Sequence, residues 1–425
     1  MVTKETKLQS SLNERQVCFR FLIMKVAAVL SVLAFSAQTD AQCITENDLY
    51  VPKTPPNLNS VTPFSTRLLK DVLPSSENFF FSPFSVWMAL VLTYFGSKGN
   101  TEKQLQTVLA VSDKTEALGT YRSLTRLYST SEDKEYTLNT ANRIYVDQSL
   151  PLNECLREAL SGDVKNINFA QPDLAATAIN AYVDHATQGM IPQLVDPSDV
   201  TESAMAFVNA VYFKGFWKHP FKTENTKKGK FFVSPVRHEF VDMMKQAERF
   251  RYGESKALNA KVLEMPYRGK TTSMYVFLPK NMETGHEVDD MVKGITPEIL
   301  QTAMKDEINT ENVVVQIPKF KSESTLRDSL KMALIRMGLG DLFSPAADLT
   351  GFSSAGGLRI TNGVHKAVIE VNEEGAEAAA ATALVSGRSS RLEEIKYFIC
   401  DRPFFYFIRD NSSENILFMG IYRKP

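Results

Sequence analysis

Apolar residues along this chain recur with two spacings, one typical of helices and one typical of strands. In residues 62–73 they recur every four positions, which predicts an amphipathic helix with Thr62 as its N-cap. Residues 82–95 predict a very apolar second helix that Gly96 ends. Residues 101–104 have the pattern of a capping box and predict the start of a third helix.

Other segments have the composition of buried strands. Strands are predicted at residues 79–81, 136–147, 204–213, 273–279, 312–320, 403–409 and 415–422, and further helices at 172–188 and 324–337. The run at 204–213 is apolar throughout, as in strands covered on both faces, but it contains Asn209. Because a buried amide without partners costs about 1–3 kcal/mol, we expect Asn209 to belong to a polar network. Strands and helices are mixed without strict βα alternation, so the predicted fold class is α+β.

Composition places the chain among ordinary globular proteins. It has 425 residues, of which 44% are hydrophobic and 23% are charged. No linker-like stretch divides it after about residue 60, which favours one large domain. The net charge of −1 gives no reason to expect a nucleic-acid partner. Metal-binding, phosphate-binding and serine-nucleophile motifs are absent from the sequence, so we expect no metal site, no cofactor and no catalytic residue.

The N-terminal region has the pattern of a secretory signal peptide. Met24-Lys25 precedes the apolar run at residues 26–35, and small residues follow up to Ala41. That run is too short to span a bilayer, so we expect a secreted, extracellular protein without membrane association. Cleavage after Ala41 is preferred and cleavage after Ala37 is the alternative. Residues 1–23 are either an extended leader or precede a true start at Met24.

Three cysteines, Cys43, Cys155 and Cys400, remain after the predicted signal peptide. This odd number leaves open one disulfide with one free thiol, or an intermolecular bridge. Asn411-Ser412-Ser413 is the only N-x-[ST] sequence in the chain and lies in the predicted turn between the last two strands. It predicts a glycan on an exposed Asn411.

Five separated motifs occur together in the order found in the serpins, a family of serine protease inhibitors. They are NFFFSPFSVWMAL (78–90), FVNAVYFKGFWKHPF (207–221), IPKF (317–320), HKAVIEVNEEGAEAAAATA (365–383), and DRPFFYFI (401–408) with ILFMG (416–420). The chain resembles inhibitory, secreted serpins of the arthropod kind. The resemblance implies three β-sheets, eight to nine helices and an exposed reactive loop at about residues 375–392. It divides the chain into a signal region (1–41), an extension (42–57) and a single serpin domain (58–425).

The resemblance also assigns roles to particular residues. The positions that match the family's shutter, beneath the centre of the main sheet, are Ser82, Ser85, Asn209 and His365. Accordingly, His365 and Ser82 are expected to be the partners of Asn209. Trp217 matches the family's breach tryptophan, and Lys319 matches the basic partner of Glu373 at the base of the hinge. The hinge itself comprises Glu373, Glu374, Gly375, Ala376, Glu377, Ala378, Ala379, Ala380, Ala381 and Thr382.

In the family, a protease cleaves the reactive loop and is trapped as an acyl-enzyme when the freed hinge enters the sheet, a known example of strand addition. The usual count of fourteen residues from Gly375 reaches Ser389. We favour Arg388–Ser389 as the scissile bond, because an arginine bait suits a trypsin-like pocket. Ser389–Ser390 and Arg391–Leu392 are the alternatives.

The expected partner is therefore a trypsin-like serine protease, bound covalently by a monomeric inhibitor. Heparin is not expected to bind, because the basic residues Arg122, Arg126 and Lys134 of the stretch 116–134 are mixed with acidic ones. Two rival functions are a non-inhibitory serpin that acts as a carrier or chaperone, and a hydrolase of another class, for which the sequence offers no nucleophile motif.

Overall fold

The computed structural model describes residues 61–74, 76–129, 136–160, 162–374 and 394–425. These residues contain ten α-helices: α1 Val61–Val72, α2 Pro83–Phe95, α3 Gly99–Leu109, α4 Lys114–Ser129, α5 Glu154–Ala159, α6 Pro172–Ala186, α7 Pro197–Val200, α8 Glu287–Gly294, α9 Pro297–Lys305 and α10 Asp328–Met337. They contain fourteen strands: β1 Phe79–Phe81, β2 Tyr136–Asp147, β3 Val164–Ile167, β4 Met205–Gly215, β5 Lys227–Ser234, β6 Arg237–Ser255, β7 Ala260–Pro266, β8 Thr272–Pro279, β9 Ile308–Pro318, β10 Phe320–Leu326, β11 Asn362–Val371, β12 Lys396–Ile399, β13 Phe404–Asp410 and β14 Ile416–Tyr422. The α+β class is confirmed.

The described strands form two hydrogen-bonded sheets. The larger has the order β1-β14-β13-β8-β7-β6-β9-β12, with β5 paired to β6, and the smaller has the order β10-β11-β4-β2-β3. Three sheets were expected. The 19-residue strand β6 accounts for the difference, since it pairs with β5 near its start, with β9 along most of its length and with β7 at its end. Its continuous ladder joins what would otherwise be two sheets.

Two layers of apolar side chains cover the five-stranded sheet. Helix α2 is buried at every residue, as its continuous apolar sequence predicts. On another side, Ala175, Ile179 and Val183 of α6 belong to one core cluster with residues of β2, β4 and β11. The sheet is therefore buried on both faces at its centre, which explains why 204–213 lacks polar alternation.

Four local predictions need correction. Thr62 lies inside α1 rather than at its N-cap, and residues 101–104 lie inside α3, where the Thr101 hydroxyl accepts a hydrogen bond from Asp348 N. Residues 324–326 end strand β10, so the helix predicted there starts only at Asp328. The basic run at residues 227–230, whose composition predicts a solvated turn, begins β5 instead. In the last two cases strand pairing to a neighbour overrides the local pattern.

Candidate functional site

The centre of the five-stranded sheet is a parallel pair, β4 and β11. Its register runs from Ala206 opposite Asn362 to Phe213 opposite Ile369. On their other sides, β4 pairs antiparallel with β2 and β11 pairs antiparallel with β10. Parallel pairs are slightly less stable per residue than antiparallel ones. The β4–β11 seam is therefore the weaker of the two pairings that each of these strands makes.

A polar cluster of Ser82, Ser85, Asn142, Asn209 and His365 lies at one level of this sheet. Asn142, Asn209 and His365 are directly opposite one another on β2, β4 and β11. The two serines come from the junction of β1 and α2, where Ser82 caps the helix and its hydroxyl accepts a hydrogen bond from Ser85 N at 3.0 Å. The sheet register and one helix start thus bring five polar residues together.

The hydrogen bonds of the cluster determine which ring nitrogen of His365 carries the proton. Ser82 N donates to His365 Nε2 at 3.1 Å, which leaves Nδ1 as the protonated nitrogen that donates to Asn209 Oδ1. Asn209 Nδ2 donates to Asn142 Oδ1 and to the Ser85 hydroxyl, the latter at 2.6 Å. The Ser82 hydroxyl donates to Leu417 O at 2.7 Å. The network that Asn209 needs is therefore present.

The partners of Asn209 differ in part from those expected. His365 contacts Asn209, but Ser82 contacts His365 instead, and Ser85 takes the place expected for Ser82. Asn142 is a member that the sequence analysis missed. The sequence indicated only that Asn142 is a polar residue within the predicted strand 136–147. The register of β2 against β4 is needed to show that Asn142 lies opposite Asn209.

Burial keeps His365 neutral. The side chain is fully buried, and this desolvation lowers its pKa from about 6.5 to about 3. Both ring nitrogens are already used, one as donor and one as acceptor. A proton on Nε2 would face the Ser82 N–H, so protonation would break the hydrogen bond at this position.

A second group of residues lies at the carboxyl end of β11. The indole of Trp217, just beyond β4, donates to Asn372 O at 2.9 Å and stacks on Tyr267 at 4.5 Å between ring centroids. Lys319 Nζ lies 2.8 Å from a carboxylate oxygen of Glu373. The predicted breach residues and the base of the hinge are therefore adjacent.

Glu373 is held by several donors although it is almost fully buried. Burial alone would raise its pKa, but hydrogen bonds from Lys319, from its own backbone and from the Thr226 hydroxyl lower it below the ordinary value. Its carbonyl accepts a hydrogen bond from Phe221 N at 3.0 Å. Glu373 is thus held by the charge of Lys319, which lies between β9 and β10, and by hydrogen bonds from Phe221 and Thr226 in the segment between β4 and β5.

The predicted loop residues lie outside the described part of the chain. This applies to Gly375–Thr382 of the hinge, to the bait candidates Arg388, Ser389, Ser390, Arg391 and Leu392, and to the signal region. Cys43 and Lys134 also lie outside it, as does the side chain of Cys155. Cys400 is a free thiol, and burial raises its pKa well above the usual range.

The predicted exposed acceptor Asn411 is turned inward. It lies in the turn between β13 and β14, as expected, but its Nδ2 donates to the Ser273 hydroxyl at 2.9 Å and its Oδ1 is buried. The residue as a whole is half-buried, and Nδ2 keeps one N–H when it carries a glycan, so the glycan on Asn411 stays a prediction.

Within the described ranges, no group of three or more His, Cys, Asp or Glu side chains could hold a metal ion. No described helix is long and apolar enough to cross a membrane.

Comparisons with known proteins agree on one family. The family model Serpin, described as serine protease inhibitor, matches residues 59–425. Iris of Ixodes ricinus is 36% identical over 86% of this chain and 98% of its own length, and the leukocyte elastase inhibitor of Sus scrofa is 38% identical over 84% and 96%. Uncleaved ovalbumin has a TM-score of 0.77 with 28% identity, covering 87% of this chain and 100% of its own. Serpin48 of Tenebrio molitor has a TM-score of 0.74 with 32% identity, covering 86% and 97%.

Replacing the buried histidine should weaken the fold. We expect His365→Ala to lower the free energy of unfolding by about 1–3 kcal/mol, because Asn209 and Ser82 each lose a buried partner. A parted seam also offers edges to a second molecule, so we expect polymers after mild heating. Urea unfolding and native gels measure both effects. His286→Ala, at a largely exposed histidine, is the control. A His365→Ala protein that unfolds like wild type and stays monomeric would contradict the network.

The free energy of unfolding should fall as the pH is lowered, because His365 is neutral in the folded protein. Above about pH 6.5 the residue is neutral in both states, whereas below it only the unfolded chain takes up the proton. The loss grows as the pH falls and levels off near pH 3, and it amounts to about 2 kcal/mol between pH 7 and pH 5. His365→Gln should lack this part of the pH dependence. Equal slopes of unfolding free energy against pH in the two proteins would show that His365 is not held neutral.

Proposed function

This chain belongs to the serpin family of serine protease inhibitors, and we propose that it is a secreted inhibitor that traps trypsin-like proteases as covalent acyl-enzymes. It is an inhibitor and not an enzyme, and serpins form covalent complexes with serine proteases. The observation that carries the proposal is the parallel β4–β11 seam, which leads directly into the hinge.

Chain direction makes this seam suited to strand insertion. A segment that leaves β11 after Val371 and turns back runs antiparallel to β11, and therefore antiparallel to its parallel neighbour β4. Insertion would replace one parallel pairing by two antiparallel ones, and antiparallel pairing is slightly more stable per residue. The backbone groups of a cleaved loop would also gain ladder hydrogen bonds.

The hinge composition supports an inhibitor over a carrier or chaperone. Insertion requires side chains that fit into a packed interior, and residues 376–383 are alanine apart from Glu377 and Thr382. The inhibitory pattern of the family also has a glutamate at the place of Glu377. The non-inhibitory alternative has no comparable support in this stretch.

The proposed protease class is based on Arg388. A guanidinium can pair with the acidic floor of a trypsin-like specificity pocket, whereas a serine cannot. A second candidate is an elastase-like protease with a small pocket, because some relatives are named leukocyte elastase inhibitors and the usual count ends at Ser389. The pattern at residues 24–41 supports secretion.

A charge placed in the hinge should convert the inhibitor into a substrate. We expect wild type to form an SDS-stable complex with trypsin, and Ala376→Arg to be cleaved without forming it, because burying the charge costs several kcal/mol and slows insertion. The measurement is the number of inhibitor molecules consumed per trypsin inactivated. Ala376→Ser keeps the size small and is the matched control. The proposal fails if wild type forms no such complex with trypsin, or if Ala376→Arg inhibits with unchanged stoichiometry.

The scissile bond can be read from the released fragment. We expect mass spectrometry of the C-terminal peptide freed from the trypsin complex to show a start at Ser389. Arg388→Ala should then inhibit trypsin far more slowly, while Arg391→Ala should act like wild type. A fragment that starts at Ser390 would make Ser389 the bait and favour an elastase-like target, and one that starts at Leu392 would make Arg391 the bait.

A further inference from the structure

A continuous segment crosses the seam on the face that carries α6. This strap comprises residues 172–200, that is α6, the connection after it and α7. Its side chains Ala175, Ile179 and Val183 share one core cluster with residues of β4 on one side of the seam and of β11 on the other. The strap therefore shares one apolar core with both strands that an inserted strand would separate.

Helix α6 of the strap is tied to β2. The guanidinium of Arg143 lies 3.5 Å from the centre of the Tyr182 ring, a close cation–π contact. The Tyr182 hydroxyl also donates to Asn142 O at 3.4 Å. Because β2 stays paired to β4, this attachment lies wholly on one side of the seam.

The later part of the strap, residues 193–199, is tied across the seam. Arg327 lies between β10 and α10, and it makes two contacts with the Asp199 carboxylate at 3.0 and 3.1 Å. It also donates to Leu194 O at 3.4 Å. Lys366 of β11 donates to Gln193 O at 3.2 Å. These groups belong to the β10–β11 half of the sheet, whereas the strap continues directly into β4.

The strap is braced internally, so it cannot stretch to absorb a displacement. The Asn180 side chain of α6 accepts hydrogen bonds from Leu194 N and Val195 N at 2.9 and 3.0 Å, and it donates to Val195 O at 2.8 Å. Asp196 and Asp199 form a reciprocal capping box at the start of α7. Displacement at Asp199 is therefore transmitted to α6.

An added strand would separate β4 and β11 by one further strand spacing, about 4.8 Å. Contacts of about 3 Å that cross the seam cannot survive that displacement, while those to Arg143 can. We propose that the contact of Arg327 with Asp199 is an electrostatic latch that must open before a strand enters the seam. The latch sets the rate of strand insertion, and this inference builds on the proposed function.

The test uses the full-length protein and a fluorescent synthetic peptide with the sequence of residues 375–388. The rise in peptide anisotropy gives the rate at which the peptide anneals to the sheet. We expect Arg327→Ala to anneal the peptide about two- to fivefold faster than wild type, the range set by a half-exposed ion pair. Arg336→Ala is the matched control, because Arg336 is a similarly exposed arginine of α10 that pairs with Asp71, away from the strap. Arg327→Lys keeps the charge but loses the two-pronged contact, so it should lie between wild type and Arg327→Ala.

The dependence of the annealing rate on ionic strength distinguishes an electrostatic latch from a general destabilisation of the sheet. Raising the ionic strength screens the ion pair, so it should accelerate wild type more than Arg327→Ala and narrow the gap between them. Equal rates for wild type and Arg327→Ala, or an equal acceleration in Arg336→Ala, would overturn the latch.

The readout is independent of protease inhibition. If Arg327 controls the rate of peptide annealing but the protein traps no protease, the latch is supported and the proposed function is contradicted. A wild-type protein that traps trypsin but shows no effect of Arg327 would lose only the latch. Wild type that anneals no peptide would overturn the latch.

Discussion

The hydrogen bond between His365 of β11 and Asn209 of β4 joins the two halves of the five-stranded sheet at its centre. It requires His365 to be neutral, because Nε2 must accept from Ser82 while Nδ1 donates to Asn209. The fully buried position supplies that condition by lowering the pKa of the ring. Every event that parts the seam must break this bond, whether the cause is a proton, an entering strand or a second molecule.

Three restraints of different chemistry surround the same seam. The polar cluster holds the middle of the seam through buried hydrogen bonds. Trp217 and the Lys319–Glu373 pair hold the end of the seam at the carboxyl end of β11, and the strap crosses the face of the sheet. The first is sensitive to pH and insensitive to salt, because it is buried and its histidine is neutral. The ion pairs of the other two are partly exposed and are screened by salt. Conditions can therefore weaken one restraint while leaving the others in place.

The fold class and most strands could be predicted from the sequence. The buried role of Asn209 could be predicted too, because a long apolar run with one amide permits few other arrangements. The hydrogen-bond partners of the Asn209 amide could not all be predicted from the sequence. Asn142 is 67 positions from Asn209 in the chain and becomes its neighbour only through strand register. The inward turn of Asn411 depends likewise on Ser273, 138 positions away. Local patterns failed where pairing to a distant strand decided the conformation, as at residues 227–230 and 324–326.

A restraint at the seam acts on the rate of insertion more than on the stability of the final state. The contacts of Arg327 and of His365 across the seam are present before a strand enters and must break as it enters, so they add to the barrier. The ladder hydrogen bonds of the new strand form afterwards and stabilise the product. In the proposed mechanism the protein is held in its starting form by kinetics, and residues that are far from any protease contact determine how fast the trap closes.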